Sequence, residues 1–161
     1  MRASDFNAAV QALGAGCQEH QPGIDSGWGL ECMRDSSAYL SATGTGSDQI
    51  TMGQASILAS SASDLTSPGA LAWLLAVASV PYEGSDATAL RAWVTERITD
   101  SACENGDACR ITIGSAVWRL YRNPGALGGP PEVGMSFLST AIAEQPVSHA
   151  PGESQAASSA K

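Results

Sequence analysis

Apolar positions are densest between Leu71 and Val80, where nearly every residue is apolar. Ser67 stands where its hydroxyl can accept an orphan backbone N–H of a helix. Pro68 follows at the first helical position, where it has no N–H to lose. A helix apolar on all sides is a buried helix, and this run falls short of the ~20 residues that span a bilayer. The pattern predicts a core helix from Pro68 to Val80, ended by Pro81. Asp86 is set to cap a second helix, in which Leu90, Trp93, Val94 and Ile98 recur at helical spacing. The short Pro- and Gly-containing link predicts an antiparallel pair.

Upstream, Phe6, Ala9, Val10 and Leu13 sit at i, i+3, i+4 and i+7 behind Ser4, which predicts an amphipathic first helix capped by that serine. Trp28 to Thr43 fits either a helix or a hairpin turning at Asp35–Ser36, and poor alternation favours the helix. A helix from Gln49 to Leu65, capped by Ser47 or Asp48, follows the Gly44–Ser47 linker. Arg110 to Tyr121 fits a strand by its β-branched residues and a helix by Ile113, Val117 and Leu120. Pro131 is set to open a last helix through Phe137, Leu138, Ala141 and Ile142. Ile50-Thr-Met-Gly and Ile111-Thr-Ile-Gly form a faint echo, which a duplicated helix pair or chance would explain.

The predicted fold is mainly α: about five to seven short helices around the Pro68–Val80 helix. The alternative is an α+β domain with strands near 28–43 and 110–121. Residues 1–145 are expected to form a single globular domain, and 146–161, with no apolar period, a disordered tail. Leu, Ile, Val and Phe make up roughly a sixth of the chain, which with high net charge signals disorder. Abundant Ala, four Trp and clear periodicity point instead to a folded core.

The formal charge is −8, from 16 acidic and 8 basic residues among 161. Residues 1–90 carry only Arg2 and Arg34 as basic groups, against nine acidic ones. Nucleic acid is not an expected partner, because phosphate contact needs clustered positive charge. A peripheral role on anionic membranes is not expected on the same ground, and no segment is long and apolar enough for an integral span. Met1 to Gly16 has no continuous apolar region of a secretory signal. That leaves a cytosolic chain or a mature fragment as readings.

Cys17, Cys32, Cys103 and Cys109 allow three pairings. The local ones, Cys17–Cys32 and Cys103–Cys109, each bracket a Gly-containing turn and are the expected disulfides. They imply a periplasmic or extracellular home. Cys17, His20, Cys32 and one further cysteine supply zinc-type ligands, but in no standard spacing, so neither metal nor cofactor is expected.

Arg119 and Arg122, with Trp118 and Tyr121 alongside, form the candidate binding set, since Arg and aromatic residues are enriched at interface hot spots. No nucleophile elbow, His-Glu-x-x-His, Walker loop or complete dinucleotide fingerprint is present. The reading that follows is a non-enzymatic, acidic binding module of inhibitor, immunity or chaperone type, acting on a protein partner. The alternative is a small secreted hydrolase working through paired carboxylates, Glu83 with Asp86 or Glu96 with Asp100, or through Cys17 and His20.

Overall fold

The computed structural model describes residues 2–20, 28–44, 50–104, 109–125 and 129–143. The helical bundle is overturned. The chain forms a seven-stranded antiparallel sheet with helices packed on one face. The elements in chain order are α1 (Ala3–Ala12), β1 (Gly16–His20), β2 (Trp28–Met33), β3 (Ala38–Gly44) and β4 (Met52–Leu58). A 3-10 turn (Ala62–Thr66) then leads to α2 (Pro68–Val77) and α3 (Ala87–Arg97). A second 3-10 turn (Ser101–Cys103) precedes β5 (Arg110–Ile113), β6 (Ala116–Asn123), β7 (Glu132–Ser139) and α4 (Thr140–Ala143).

The lateral strand order is β1-β2-β3-β4-β7-β6-β5. Two meanders, β1–β4 and β5–β7, therefore meet at the β4–β7 seam, and the α2–α3 pair belongs to the crossover between them. Three predicted helices are strands instead. Trp28–Thr43 forms the β2–β3 hairpin, Gln49–Leu65 is replaced by β4 and a 3-10 turn, and most of Pro131–Ile142 is β7. Arg110–Tyr121 resolves in favour of strand, as the β5–β6 hairpin. The reason is a period of two. Val133, Met135 and Phe137 face the core with Gly134 and Ser136 between them, and Ala116, Trp118 and Leu120 do the same on β6. Small core residues on β3 and β4, such as Ala42 and Ala55, hid this alternation, because Ala reads equally well as helix.

The helices are placed by the signals that predicted them. Ser67 Oγ accepts from Ala70 N at 3.3 Å, and Asp86 Oδ1 from Ala89 N at 2.9 Å. Helix α2 ends at Val77, and only Ala70, Trp73, Leu74 and Val77 are buried; Gly69 and Ala72 are exposed, so it is not buried on all sides. Helix α1 starts at Ala3 and has no side-chain cap, so Ser4 lies inside it rather than capping it. Phe6 of α1 and Trp118 of β6 both pack against Phe137 of β7, with ring centroids 6.4 and 5.0 Å away. That cluster fixes the helices to one face of the sheet.

Both expected disulfides are present. Cys17 and Cys32 are directly opposite each other on β1 and β2, with Cα atoms 4.0 Å apart. Cys103 and Cys109 join the second 3-10 turn to the residue before β5, at 5.2 Å. The echoed segments do not superpose, since Gly53 is mid-strand in β4 whereas Gly114 is in the β5–β6 turn. The predicted caps Ser47 and Asp48, the Asn105–Gly106 turn and the 146–161 tail lie outside the described residues.

Candidate functional site: the open face of the sheet

Alternation sends every second side chain away from the helices, onto a face that no helix covers among the described residues. Its middle is one continuous cross-strand row running Gln18, Glu31, Ser41, Gln54, Ser136, Arg119, Arg110. Every member is polar. The acidic residue lies toward the β1 edge, and the two arginines toward the β5 edge. On one side of it runs the row Met33, Tyr39, Ser56, Gly134, Tyr121. On the other runs Thr43, Met52, Leu138, Val117, Thr112. The large apolar side chains that are exposed among the described residues are Met33 (54%), Met52 (50%) and Leu58 (41%). All three fall on this face by strand alternation.

Tyr121 organises the centre. Its ring lies across Gly134 of β7, where an added Cβ would stand 2.5 Å from Tyr121 Cζ. Its hydroxyl accepts from Gln54 Nε2 at 2.7 Å and donates to Glu132 Oε1 at 3.0 Å. Half-burial first, and then the Glu132 carboxylate, push the phenol well above its usual range. It therefore stays protonated and serves as a donor, not as a base. Between β3 and β4, a shallow depression of about 280 Å³ is lined by Ser41, Thr43, Met52, Gln54 and Ser136.

A second cleft, of about 250 Å³, opens at one end of the sheet between Tyr82, Glu83, Ser115 and Thr140. Burial raises the Tyr82 phenol above its usual range. Its hydroxyl is already engaged, accepting from Trp118 Nε1 at 2.9 Å and donating to Ile113 O at 3.1 Å.

The four residues of the candidate binding set do not share one surface. All belong to β6, but a strand sends Trp118 and Arg122 to one face and Arg119 and Tyr121 to the other. Trp118 is 1% exposed, in the core. Arg122 is held by Glu104 and reaches Ile98 O at 3.4 Å. Arg119 and Tyr121 remain on the open face, with Arg110 directly opposite Arg119.

Three of the candidate hydrolytic groups have structural roles. Asp86 caps α3 and Asp100 caps the second 3-10 turn while pairing with Arg97 at 2.7 Å. Hydrogen bonds from Ala102 N and Arg97 hold the Asp100 carboxyl below its usual range. Cys17, bonded to Cys32, has no thiol to act as a nucleophile. No cluster of metal-ligating side chains occurs among the described residues.

Gln54, Ser136, Glu31 and Met52 were missed as surface residues because β2, β4 and β7 read as helices. The signal that finds them is the small or polar residue between each pair of inward apolar ones, as in Met135-Ser136-Phe137. Compared with family models, characterised proteins and solved structures, the chain matches none of them significantly.

Proposed function

We propose that this chain is a non-enzymatic binding module that engages a protein partner through the open face of its sheet. The observation that carries the reading is the gathering of Met33, Met52 and Leu58, all strongly exposed, on the one face no described helix covers. Met, aromatic residues and Arg are enriched at protein interfaces, and this face carries Met33, Met52, Tyr39, Tyr121, Arg110 and Arg119 among its polar groups. The polar row supports it, because such a row offers hydrogen bonds and charge steering in addition to apolar area. The two disulfides support action in an oxidising compartment, periplasmic or extracellular. No helix of the described residues is long and apolar enough to cross a membrane.

The test is capture from an extract of the source organism with immobilised wild type and with Met52→Arg, at low and high salt. A specific protein retained by wild type, lost with Met52→Arg and weakened by salt is the expected result. Retention that is indifferent to Met52→Arg would remove the open face as the contact surface. Turnover of a substrate, lost in Glu96→Gln with the fold intact, would replace the binding reading with a hydrolase.

A further inference from the structure

We propose that the cleft between Tyr82, Glu83, Ser115 and Thr140 binds a primary alkylammonium group. Met33, Met52 and Leu58, which mark the open face, do not line it, so the two sites can be tested apart. Its volume is about 250 Å³, below the ~300–1,000 Å³ of pockets for drug-sized ligands. The ligand is therefore small, or is the end of a side chain.

The wall of the cleft has spent its donors and kept its acceptors. Ser115 Oγ donates to Glu83 O at 3.0 Å, Thr140 Oγ1 to Ser115 O at 3.3 Å and Thr51 Oγ1 to Thr43 O at 3.4 Å. A hydroxyl has one proton to give and two lone pairs. With its proton committed to a backbone carbonyl, each of these offers a ligand lone pairs only. The Tyr82 hydroxyl is engaged both ways, by Ile113 O and by the Trp118 indole. Glu83 alone carries charge among the described residues that line the cleft. Its carboxylate forms no ion pair with another described residue. A group seated here meets acceptors and one negative charge, which selects a cationic donor and rejects an anion. An ammonium has three N–H groups and no acceptor.

The floor selects what carries that head group. Ile50, Ala116 and Phe137 line the cleft and are buried, so they present apolar surface beneath the hydroxyls. A short alkyl stem covers such a floor without losing hydrogen bonds to water. An alkylamine is protonated at neutral pH, since the lysine ammonium titrates near about 10.4. The wall is also set before a ligand arrives. Ser115 N donates to Glu83 O at 3.2 Å, Thr140 N to Ser115 O at 2.9 Å and Ser139 N to Thr51 O at 2.7 Å. Acceptors fixed in this way cost little ordering on binding. The formal charge of −8 draws cations toward the surface.

The test is titration of the isotope-labelled chain with n-butylammonium, n-butanol and butyrate at constant ionic strength, followed by amide chemical shifts. Saturable shifts at residues 82–84, Ser115 and Thr140 are expected with n-butylammonium, at a Kd of about 1 mM for so few atoms. n-Butanol should bind about tenfold more weakly, and butyrate should not bind. Glu83→Gln should weaken n-butylammonium by about tenfold. Thr140→Val is nearly isosteric and should weaken it severalfold. Circular dichroism of both variants checks the fold. The same head group occurs on free amines and on the lysine side chains of polypeptides. A lysine amide acetylated at its α-amine separates these sources. Much tighter binding than n-butylammonium assigns the cleft to a polypeptide lysine, and equal binding assigns it to a free amine.

No saturable shift at these amides overturns the alkylammonium site. So does n-butanol binding as tightly as n-butylammonium, or full affinity in both Glu83→Gln and Thr140→Val.

Discussion

At the scale of single residues, two polar groups hold more structure than their size suggests. Tyr82 links the α2–α3 loop to β5 and β6 by accepting from the buried Trp118 indole and donating to Ile113 O. Tyr82→Phe removes the acceptor of the buried Trp118 N–H and one donor to Ile113 O. Unmet buried groups cost about 1–3 kcal/mol, so urea unfolding should show a loss of that order with the fold retained. Asp35 sets the β2–β3 turn: its Oδ1 accepts from Ser37 Oγ at 2.6 Å, Ser37 N at 2.8 Å and Ala38 N at 3.0 Å. Hydrogen bonds from Ser37, then the Arg34 side chain, hold its carboxyl far below the usual range. A depressed folded pKa stabilises the native state above the unfolded value, about 3.9. That contribution is lost as pH falls through the folded value. Asp35→Asn should therefore melt at a lower temperature than wild type near neutrality, and lose less on acidification. Melting curves from about pH 6 down to about pH 2 check both, and parallel curves would contradict the assignment.

At the scale of elements, the signals that were legible are those with a local cause. The caps at Ser67 and Asp86, the apolar run of α2, the α1 stripe and both cysteine pairs were readable from neighbouring residues alone. The strands near 28–43 and 110–121 were legible only as the alternative to helices, and β4 and β7 not at all, because alternation in β3 and β4 is written largely in Ala, Gly and Ser, whose preferences do not separate helix from sheet. Misreading β4 and β7 as helices also concealed the site, since Gln54, Ser136 and Met52 share a face only once their strands pair. Arg119 and Tyr121 were singled out as residue types enriched at binding hot spots, and reach the open face through alternation. Gly134 shows how tightly that face is built, as an added Cβ would lie 2.5 Å from Tyr121 Cζ and 2.8 Å from Ala55 O. One of these contacts is rigid backbone, so Gly134→Ala should push Tyr121 off the strand and destabilise by about 1–3 kcal/mol. Chemical denaturation gives the magnitude, and a Gly134→Ala variant of wild-type stability would show that Tyr121 is not held there.

At the scale of the whole molecule, the disulfides take on a meaning that their local spacing did not convey. The sheet has two edges, β1 and β5, and each bridge stands at one of them. Cys17–Cys32 clamps β1 to β2, and Cys103–Cys109 fastens the entry to β5 to the turn after α3. Edge strands pair on one side only and are the first to open. The interior seam is held differently: β4 and β7 are paired on both sides, lie beneath Phe6, Trp73 and Leu74, and are tied to β6 by the Tyr121–Gln54 hydrogen bond. Loop closure favours the longer clamp. The sequence separations are 15 and 6 residues, which gives about 3 and about 2 kcal/mol respectively. Reduction should therefore loosen the edges before the centre. Amide exchange followed by mass spectrometry, with and without reductant, should accelerate first in β1 and then in β5, while β4, β6 and β7 keep their protection until global unfolding. Uniform acceleration across all seven strands would mean that the bridges hold the fold as a whole rather than its edges.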